Sequence, residues 1–352
     1  MFEQNNFNQQ QNNNYYYQAQ PPVPPYNPYP YVPPKQKEKK EMHRAALLIG
    51  IPCLCLSLIG FIWPYVYIFL TTNVVGMTYE AAIELSENSA VQQILQIILS
   101  CIMFLIPFTI AAKCTGRRID NLIDFGKAKK GTFLPFLLFG IGFCGFSNIA
   151  TSYAEQIFQN FGVDYDVDFG DNPSGVFGFL LSFIATAIVP ALIEEFACRG
   201  IVLGVLKKYG QTFAIISSSL IFGIMHGNFE QIPFAVLVGL VLGYIYVKTG
   251  SIWPCMAIHC VNNAASVVFS YLSNVLDTGT TNVLYMVYLN LCLIAAIIGI
   301  LLYVKKGEEN FGLEKEETAI TEKEKYTWFF SHWTIIVFIV LNVIESLSYF
   351  VV

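Results

Sequence analysis

Charged residues are scarce in this sequence: Asp, Glu, Lys and Arg make up 13% of the 352 residues, whereas hydrophobic residues make up 55%. An ordinary soluble domain contains about 25% charged residues, so the composition argues against a soluble enzyme. The net charge of −5 argues against a nucleic-acid partner, because phosphate binding requires a concentrated basic face. The composition instead predicts a protein whose apolar surface is covered by membrane lipid.

The apolar residues form long runs that lack the polar positions of an amphipathic helix. A helix needs roughly 20 apolar residues to cross a bilayer. Nine such segments are predicted, at residues 45–70, 91–112, 132–152, 176–206, 211–226, 232–247, 251–273, 282–304 and 328–350. The predicted fold class is all-α, a multi-pass transmembrane helical bundle with eight or nine spans.

Lys and Arg are missing from every second connection between these segments. Cytoplasmic loops of membrane proteins are enriched in Lys and Arg. With nine crossings, all the basic clusters fall on the side of the N-terminus, and the opposite loops carry acidic residues only. The distribution predicts an integral protein of the cell membrane with a cytoplasmic N-terminus.

The N-terminal segment has few aliphatic side chains and is rich in Gln, Asn, Tyr and Pro. Such a segment cannot form a core, so residues 1–44 are predicted to be a disordered cytoplasmic tail with a basic end. The remaining predicted parts are three transmembrane helices within 45–152, a core at 176–273, a helix at 282–304, a charged linker at 305–327 and a final helix within 328–352.

Arg199 is the one basic residue within a predicted span, and two adjacent glutamates, Glu194 and Glu195, precede it. A charge at a helix centre costs about 2.5 to 3.5 kcal/mol on insertion scales, so it is expected to be paired or functional. Glu195 and Arg199 are four residues apart and can form an ion pair, which leaves Glu194 free for acid–base chemistry. Pro190 cannot donate to the Thr186 carbonyl, so a kink is predicted before the carboxylates.

Polar residues recur in two later spans. His226 ends one segment, four residues after Phe222, and His259 and Asn263 are four residues apart in another. At 1.5 Å rise per residue, these groups and Glu194 reach overlapping depths near the middle of the membrane. Two imidazoles, a carboxylate and an amide are sufficient to bind a divalent metal, to activate water, or to combine a base with an oxyanion hole.

Three spaced motifs therefore follow one another on successive membrane helices. They are Glu194-Glu195-x-x-x-Arg199, Phe222-x-x-x-His226 and His259-x-x-x-Asn263. This series resembles the CAAX-protease and bacteriocin-processing family of intramembrane proteases, also called Abi-like or CPBP proteases, over roughly residues 176–273. The tail and the last span lie outside the resemblance.

The resemblance implies a role for each motif residue. Glu194 and His226 would activate water, and His259 and Asn263 would bind metal or stabilise the oxyanion. Members of the family are described both as metalloproteases and as glutamate-dependent proteases, so Zn²⁺, held by Glu194, His226 and His259, stays open. The residues expected to support the site are Glu195, Arg199 and Phe222. The implied substrate is a membrane-associated protein or peptide, either a prenylated C-terminal tail or a bacteriocin peptide.

The sequence argues against two other classes of intramembrane protease. The His-Glu-x-x-His motif of zinc proteases is absent. An aspartyl intramembrane protease would need two Asp within its spans, and no Asp lies within a predicted span. A non-proteolytic membrane scaffold or immunity protein that binds a peptide in the same cavity is the principal alternative. A small-solute transporter would show internal repeats, and the Glu-Glu motif has no second copy.

Overall fold

A computed structural model describes residues 33–160, 175–307 and 311–350. Most of the predicted disordered tail, residues 1–32, lies outside these ranges. The end of that predicted tail is helical, because the first helix begins at Pro34. Proline is favoured in the first turn of a helix, and the Lys- and Glu-rich sequence after it has high helix propensity. The predicted boundary at residue 44 is therefore wrong by about ten residues.

The described residues form eleven helices. They are α1 (Pro34–Asn73), α2 (Tyr79–Glu87), α3 (Ser89–Cys114), α4 (Phe133–Asn160), α5 (Gly175–Tyr209), α6 (Gln211–Ile224), α7 (Gln231–Thr249), α8 (Trp253–Val275), α9 (Thr278–Lys305), α10 (Glu322–Phe330) and α11 (Trp333–Ser348). A 3₁₀ turn, Ile119–Asn121, lies between α3 and α4.

Seven of these helices are long and apolar enough to cross a membrane: α1, α3, α4, α5, α7, α8 and α9. Helices α10 and α11 form an eighth candidate span, bent by 66° between them. Helix α6 has 14 residues, about 21 Å, which is shorter than the roughly 30 Å hydrocarbon core. The predicted all-α, multi-pass bundle is confirmed. Eight or nine spans were predicted, and the described residues contain seven helices able to span, or eight if the bent pair counts as one; the short helix α6 accounts for the ninth predicted segment.

Close backbone contacts hold α9 against α4. A Cβ atom at Gly142 of α4 would lie 2.4 Å from the carbonyl oxygen of Cys292 in α9. Small residues allow membrane helices to approach in this way, where water supplies no hydrophobic driving force. Helix α5 in turn packs against α3, α6 and α8, so the three motifs, which follow one another along the chain, lie on neighbouring helices.

Helix α5, which carries the glutamate pair, is not a regular α-helix. An α-helical segment, Val189–Glu195, lies between two π-helical segments, Phe183–Ile188 and Phe196–Leu203. Pro190 stands in the first turn of the α-helical segment. The interruption predicted at Pro190 therefore takes the form of a π-helical segment that ends just before it. Such segments occur frequently at functional sites.

Candidate active site

The predicted ion pair between Glu195 and Arg199 is present and fully buried. Arg199 Nη1 lies 2.8 Å from Glu195 Oε1, and the two side chains are exposed by 1% or less. Arg199 Nη2 donates to the carbonyl oxygen of Gly239 in α7 at 3.3 Å. The guanidinium also lies 4.3 Å from the centre of the Phe222 ring, a distance at which a cation is attracted to an aromatic face. Arg199 thus joins α5, α6 and α7.

His259 from α8 lies between the two glutamates. Its Nδ1 lies 2.9 Å from Glu195 Oε1, and its Nε2 lies 3.9 Å from Glu194 Oε2. Because a carboxylate accepts, the Nδ1–H donates to Glu195 and the Nε2 atom faces Glu194. A second carboxylate that fixes the tautomer and orientation of a functional histidine is a common arrangement. Glu195 therefore pairs with Arg199, as the spacing predicted, and also orients His259. The contact with His259 was not predicted from the sequence.

Glu194 is separate from the ion pair, as the helix spacing predicted. Its Oε2 atom is buried and has no hydrogen-bond partner within the described ranges, and its side chain is 16% exposed. A buried oxygen without a partner is costly, by about 1 to 3 kcal/mol or more for a charged group. A carboxylate held in this state is available to water, to a substrate proton or to a cation.

His226 lies in the turn that follows α6. Its Nδ1 is 2.8 Å from the carbonyl oxygen of Phe222; since a carbonyl only accepts, Nδ1 carries the hydrogen and Nε2 carries the lone pair in the neutral ring. Gly227 has a φ of +65°, which allows the chain to reverse there. Asn228 Nδ2 donates to the His226 carbonyl at 3.0 Å, and Asn228 Oδ1 accepts from the Gln231 amide at 2.8 Å. The turn is thereby fixed.

Phe222 connects the motifs. Its ring meets the His226 ring edge-on, with centroids 5.1 Å apart, and the His259 ring edge-on at 5.8 Å. Phe222 also contacts Arg199. It therefore touches Arg199 of the first motif, His226 of its own motif and His259 of the third. Its place in the motif is explained by packing: it sets the positions of the two imidazoles.

Asn263 ties α8 to the irregular part of α5. Its Nδ2 donates to the Thr186 carbonyl at 3.0 Å, the carbonyl that Pro190 cannot reach because it has no N–H. Its Oδ1 accepts from Asn262 Nδ2 at 3.2 Å, and Asn262 Oδ1 accepts from Asn148 Nδ2 at 3.4 Å. One hydrogen of the Asn263 amide stays available for another acceptor. The sequence prediction missed this chain of asparagines, although Asn148 within an apolar run was a visible signal.

The last helix also reaches the site. A Cβ atom at Gly227 would lie 2.7 Å from Glu345 Oε2, so the Glu345 carboxylate of α11 packs against the turn that carries His226. Asn342 of the same helix donates to Ser57 of α1 at 2.8 Å, which holds α11 in place. Nothing in the sequence predicted this approach, because it depends on how α11 packs against α1.

Two of the three predicted Zn²⁺ ligands, Glu194 and His259, lie close together and have donor atoms of the kind that Zn²⁺ binds. Glu194 Oε2 and His259 Nε2, 3.9 Å apart, are an oxygen and a nitrogen of the kind that Zn²⁺ binds at about 2.0 to 2.2 Å. Across the described parts of the chain, however, no group of three His, Cys, Asp or Glu side chains is arranged to hold an ion. The predicted set of Glu194, His226 and His259 therefore stays a prediction, with His226 outside such a group in this structure.

Comparison with known proteins places the motifs in one matched segment. Residues 176–265 match the family model described as Type II CAAX prenyl endopeptidase Rce1-like, which confirms the resemblance inferred from the motifs. A protein of Bacillus subtilis (strain 168), described as "Putative membrane peptidase YdiL", is 32% identical over 89 residues. That match covers 25% of this chain and 36% of the relative's own length. No solved structure matches. With its seven long apolar helices, the chain is an integral membrane protein.

Proposed function

We propose that this protein is an intramembrane endopeptidase that hydrolyses peptide bonds of membrane-associated proteins or peptides. The observation that carries the proposal is the unpartnered Glu194 oxygen, 3.9 Å from the Nε2 of a histidine that a second carboxylate orients. This arrangement lies within the segment that matches a prenyl endopeptidase family.

In the proposed reaction, Glu194 acts as the general base. A water molecule beside Glu194 Oε2 gives up a proton to the carboxylate while its oxygen attacks the carbonyl carbon of the substrate. The proton then passes from Glu194 to the nitrogen of the departing peptide. His226 assists by accepting a hydrogen bond from the same water at Nε2, because its Nδ1–H is already donated to the Phe222 carbonyl.

The attack produces an oxyanion on the former carbonyl oxygen, which hydrogen-bond donors must stabilise. His259 Nε2, when protonated, and the free hydrogen of the Asn263 amide are the donors assigned to it. Glu195 and Arg199 act as positioning residues, since Glu195 holds both Arg199 and His259. If Zn²⁺ is bound, Glu194 and His259, whose donor atoms face each other here, would hold it, with His226 as the predicted third ligand, and the ion would supply Lewis-acid polarisation of the carbonyl.

We further propose that the N-terminus lies in the cytoplasm and that the protein resides in the cell membrane. The support is that basic residues connect the ends of three spans. Arg44 of α1 donates to the Cys114 carbonyl of α3 at 2.8 Å, and Lys208 of α5 lies 2.5 Å from Glu41 of α1. A clustered basic end is typical of the cytoplasmic side. A cysteine-accessibility assay in intact cells, applied to Cys114, tests the orientation.

The proposed activity is tested by cleavage of a peptide library in vesicles, with prenylated and unprenylated C-terminal peptides included. We expect the Glu194→Gln variant to lose at least a hundredfold in rate, while Glu230→Gln, a glutamate of the turn outside the motifs, keeps wild-type cleavage. A scaffold or immunity protein would instead bind a peptide without cleaving it and would be indifferent to Glu194→Gln. Metal analysis of the purified protein, with chelator treatment, separates the zinc-dependent from the glutamate-only mechanism.

A further inference from the structure

A cavity lies at the basic end of the bundle, away from the glutamate pair. It has a volume of about 260 Å³ and is enclosed by the ends of α1, α3 and α5 and by the connection after α3. Val205, in its wall, is ten residues beyond Glu195, about 15 Å along the helix. The volume is below the roughly 300 to 1,000 Å³ of sites for drug-sized ligands, but several times the roughly 30 Å³ of one water molecule.

The cavity has an excess of positive charge. Its charged lining residues are Arg44, Arg117, Lys208 and Glu41, which gives three cations and one anion, a net charge of +2. Lys208 is paired with Glu41 at 2.5 Å, and Arg44 uses one Nη2 hydrogen on the Cys114 carbonyl. The Arg117 side chain is exposed and makes no hydrogen bond or ion pair with the described residues. Two guanidinium groups therefore keep donors for a ligand with several anionic oxygens.

Four of the other lining residues of the cavity are apolar. They are Ala45, Leu48, Leu122 and Val205, and all but Leu48 are nearly inaccessible to solvent. A free inorganic anion would gain nothing from such residues. A lipid would, because its glycerol and first methylene groups lie next to its phosphate. The cavity also lies near the C-terminal ends of α3 and α5 and the basic start of α1, which is the level at which we expect lipid headgroups.

The cavity is rigidly coupled to the helix that carries the glutamates. A Cβ atom at Gly204 of α5 would lie 2.4 Å from the Leu122 carbonyl oxygen, and one at Gly200 would lie 2.6 Å from Ile123. The connection after α3 is therefore pressed directly against α5. A ligand that bridges Arg44, Arg117 and Lys208 would hold the ends of α1, α3 and α5 together.

We propose that this cavity binds the phosphate-bearing headgroup of an anionic phospholipid. Basic pockets between membrane helices on the positively charged side are suited to such headgroups, and the guanidinium groups can bind a phosphate through paired hydrogen bonds. The site is separate from the proposed active site, and its test does not require peptidase activity.

The test is a ligand titration of the purified full-length protein in neutral detergent, followed by thermal unfolding. The probes are short-chain phosphatidylglycerol, the matching phosphatidylcholine and water-soluble glycerol phosphate. We expect phosphatidylglycerol to raise the Tm saturably, by on the order of 5 °C at a hundredfold excess over the Kd, and phosphatidylcholine to have no effect. Glycerol phosphate should bind at least tenfold more weakly, since it lacks the apolar part.

Adjacent arginines provide the matched variants. Arg117→Gln should weaken phosphatidylglycerol binding at least fivefold, while its unliganded Tm stays close to the wild-type value, because this exposed side chain makes no hydrogen bond or ion pair with the described residues. Arg118→Gln removes the same charge from the neighbouring residue, which pairs with Asp120 at 2.8 Å and does not line the cavity, and should leave binding unchanged. Equal weakening by the two variants, an equal effect of phosphatidylcholine, or equal binding of glycerol phosphate would each overturn the proposal.

Discussion

Helix α5 carries two ion pairs in very different surroundings. In its middle, Glu195 and Arg199 are 2.8 Å apart and almost completely buried, and both have further partners in other helices. At its end, Lys208 and Glu41 are 2.5 Å apart with side chains 33% and 39% exposed. The first pair is shielded from water and fixed by its further partners, whereas the second is open to solvent. The comparison shows that burial and connectivity, and not the distance between charges, decide which pair the fold and the site depend on.

The largest expected effect comes from breaking the buried pair. Arg199→Gln leaves Glu195 charged, buried and bound only to His259, so we expect a loss of about 3 to 5 kcal/mol in unfolding free energy. Unfolding in mixed detergent micelles measures it. The double variant Glu195→Gln/Arg199→Gln should lose less than the sum of the two single variants; strict additivity would contradict the pairing.

The second effect concerns the packing of α5 between the two ion pairs. Gly204→Ala forces a Cβ to within 2.4 Å of the Leu122 backbone oxygen, which cannot move as a flexible side chain could. We expect destabilisation of about 1 to 3 kcal/mol, measured by the same unfolding assay.

A matched glycine gives the opposite expectation. A Cβ at Gly60, in the middle of α1, would meet no atom within 4 Å. Gly60→Ala should therefore stabilise the helix, by up to about 1 kcal/mol. A loss of stability in both variants would show that a general intolerance of alanine, and not the contact with Leu122, is responsible.

A smaller effect is expected from the asparagine that supports α5. Asn263→Ala leaves the Thr186 carbonyl without the amide that now donates to it, and side-chain hydrogen bonds between membrane helices contribute roughly 0.6 kcal/mol on average and up to about 1.7. Asn290→Ala is the control, because among the described residues the Asn290 side chain bonds only to the carbonyl of Met286 in its own helix, and it is exposed. Cleavage should fall in Asn263→Ala and stay unchanged in Asn290→Ala.

The smallest effect is expected at the exposed pair. Lys208→Gln should cost between 0 and about 1 kcal/mol, and the difference from wild type should shrink in high salt because ions screen exposed charges. A loss as large as that of Arg199→Gln, or one insensitive to salt, would erase the difference between the two pairs.

The fold was predictable where it follows from composition. Long apolar runs gave the helices their approximate positions, because a span must bury or cover its polar backbone within the lipid. Two features escaped. The run at 328–350 is broken at His332, whose side chain accepts from the Thr334 amide and caps α11, and hydropathy does not detect a cap within an aromatic stretch. The helical start at Pro34 escaped for a similar reason, because the composition of the segment as a whole masked a local signal.

The sequence could predict which motifs lie on neighbouring helices, but it could not predict which side chains contact each other. Regular spacing of 100° per residue separates Glu194 from Glu195 correctly, since the segment Val189–Glu195 is α-helical. The contact between Glu195 and His259 joins residues 64 positions apart, and no spacing along one helix can predict it. The two π-helical segments escaped as well, because an apolar sequence has no residue pattern that distinguishes π from α geometry.

Glu194 is proposed to act as the base, whereas Glu195 is proposed to position His259 and Arg199. The most direct test compares Glu194→Gln with Glu195→Gln in vesicles, with the single-turnover cleavage rate and the Tm of each variant measured on the same preparation. Removing the charge of a carboxylate whose buried Oε2 has no hydrogen-bond partner among the described residues should leave the Tm of Glu194→Gln unchanged or higher, while its rate falls at least a hundredfold. Glu195→Gln should lose both rate and Tm. Wild-type cleavage by Glu194→Gln, or a fall in its Tm that matches that of Glu195→Gln, would contradict the account.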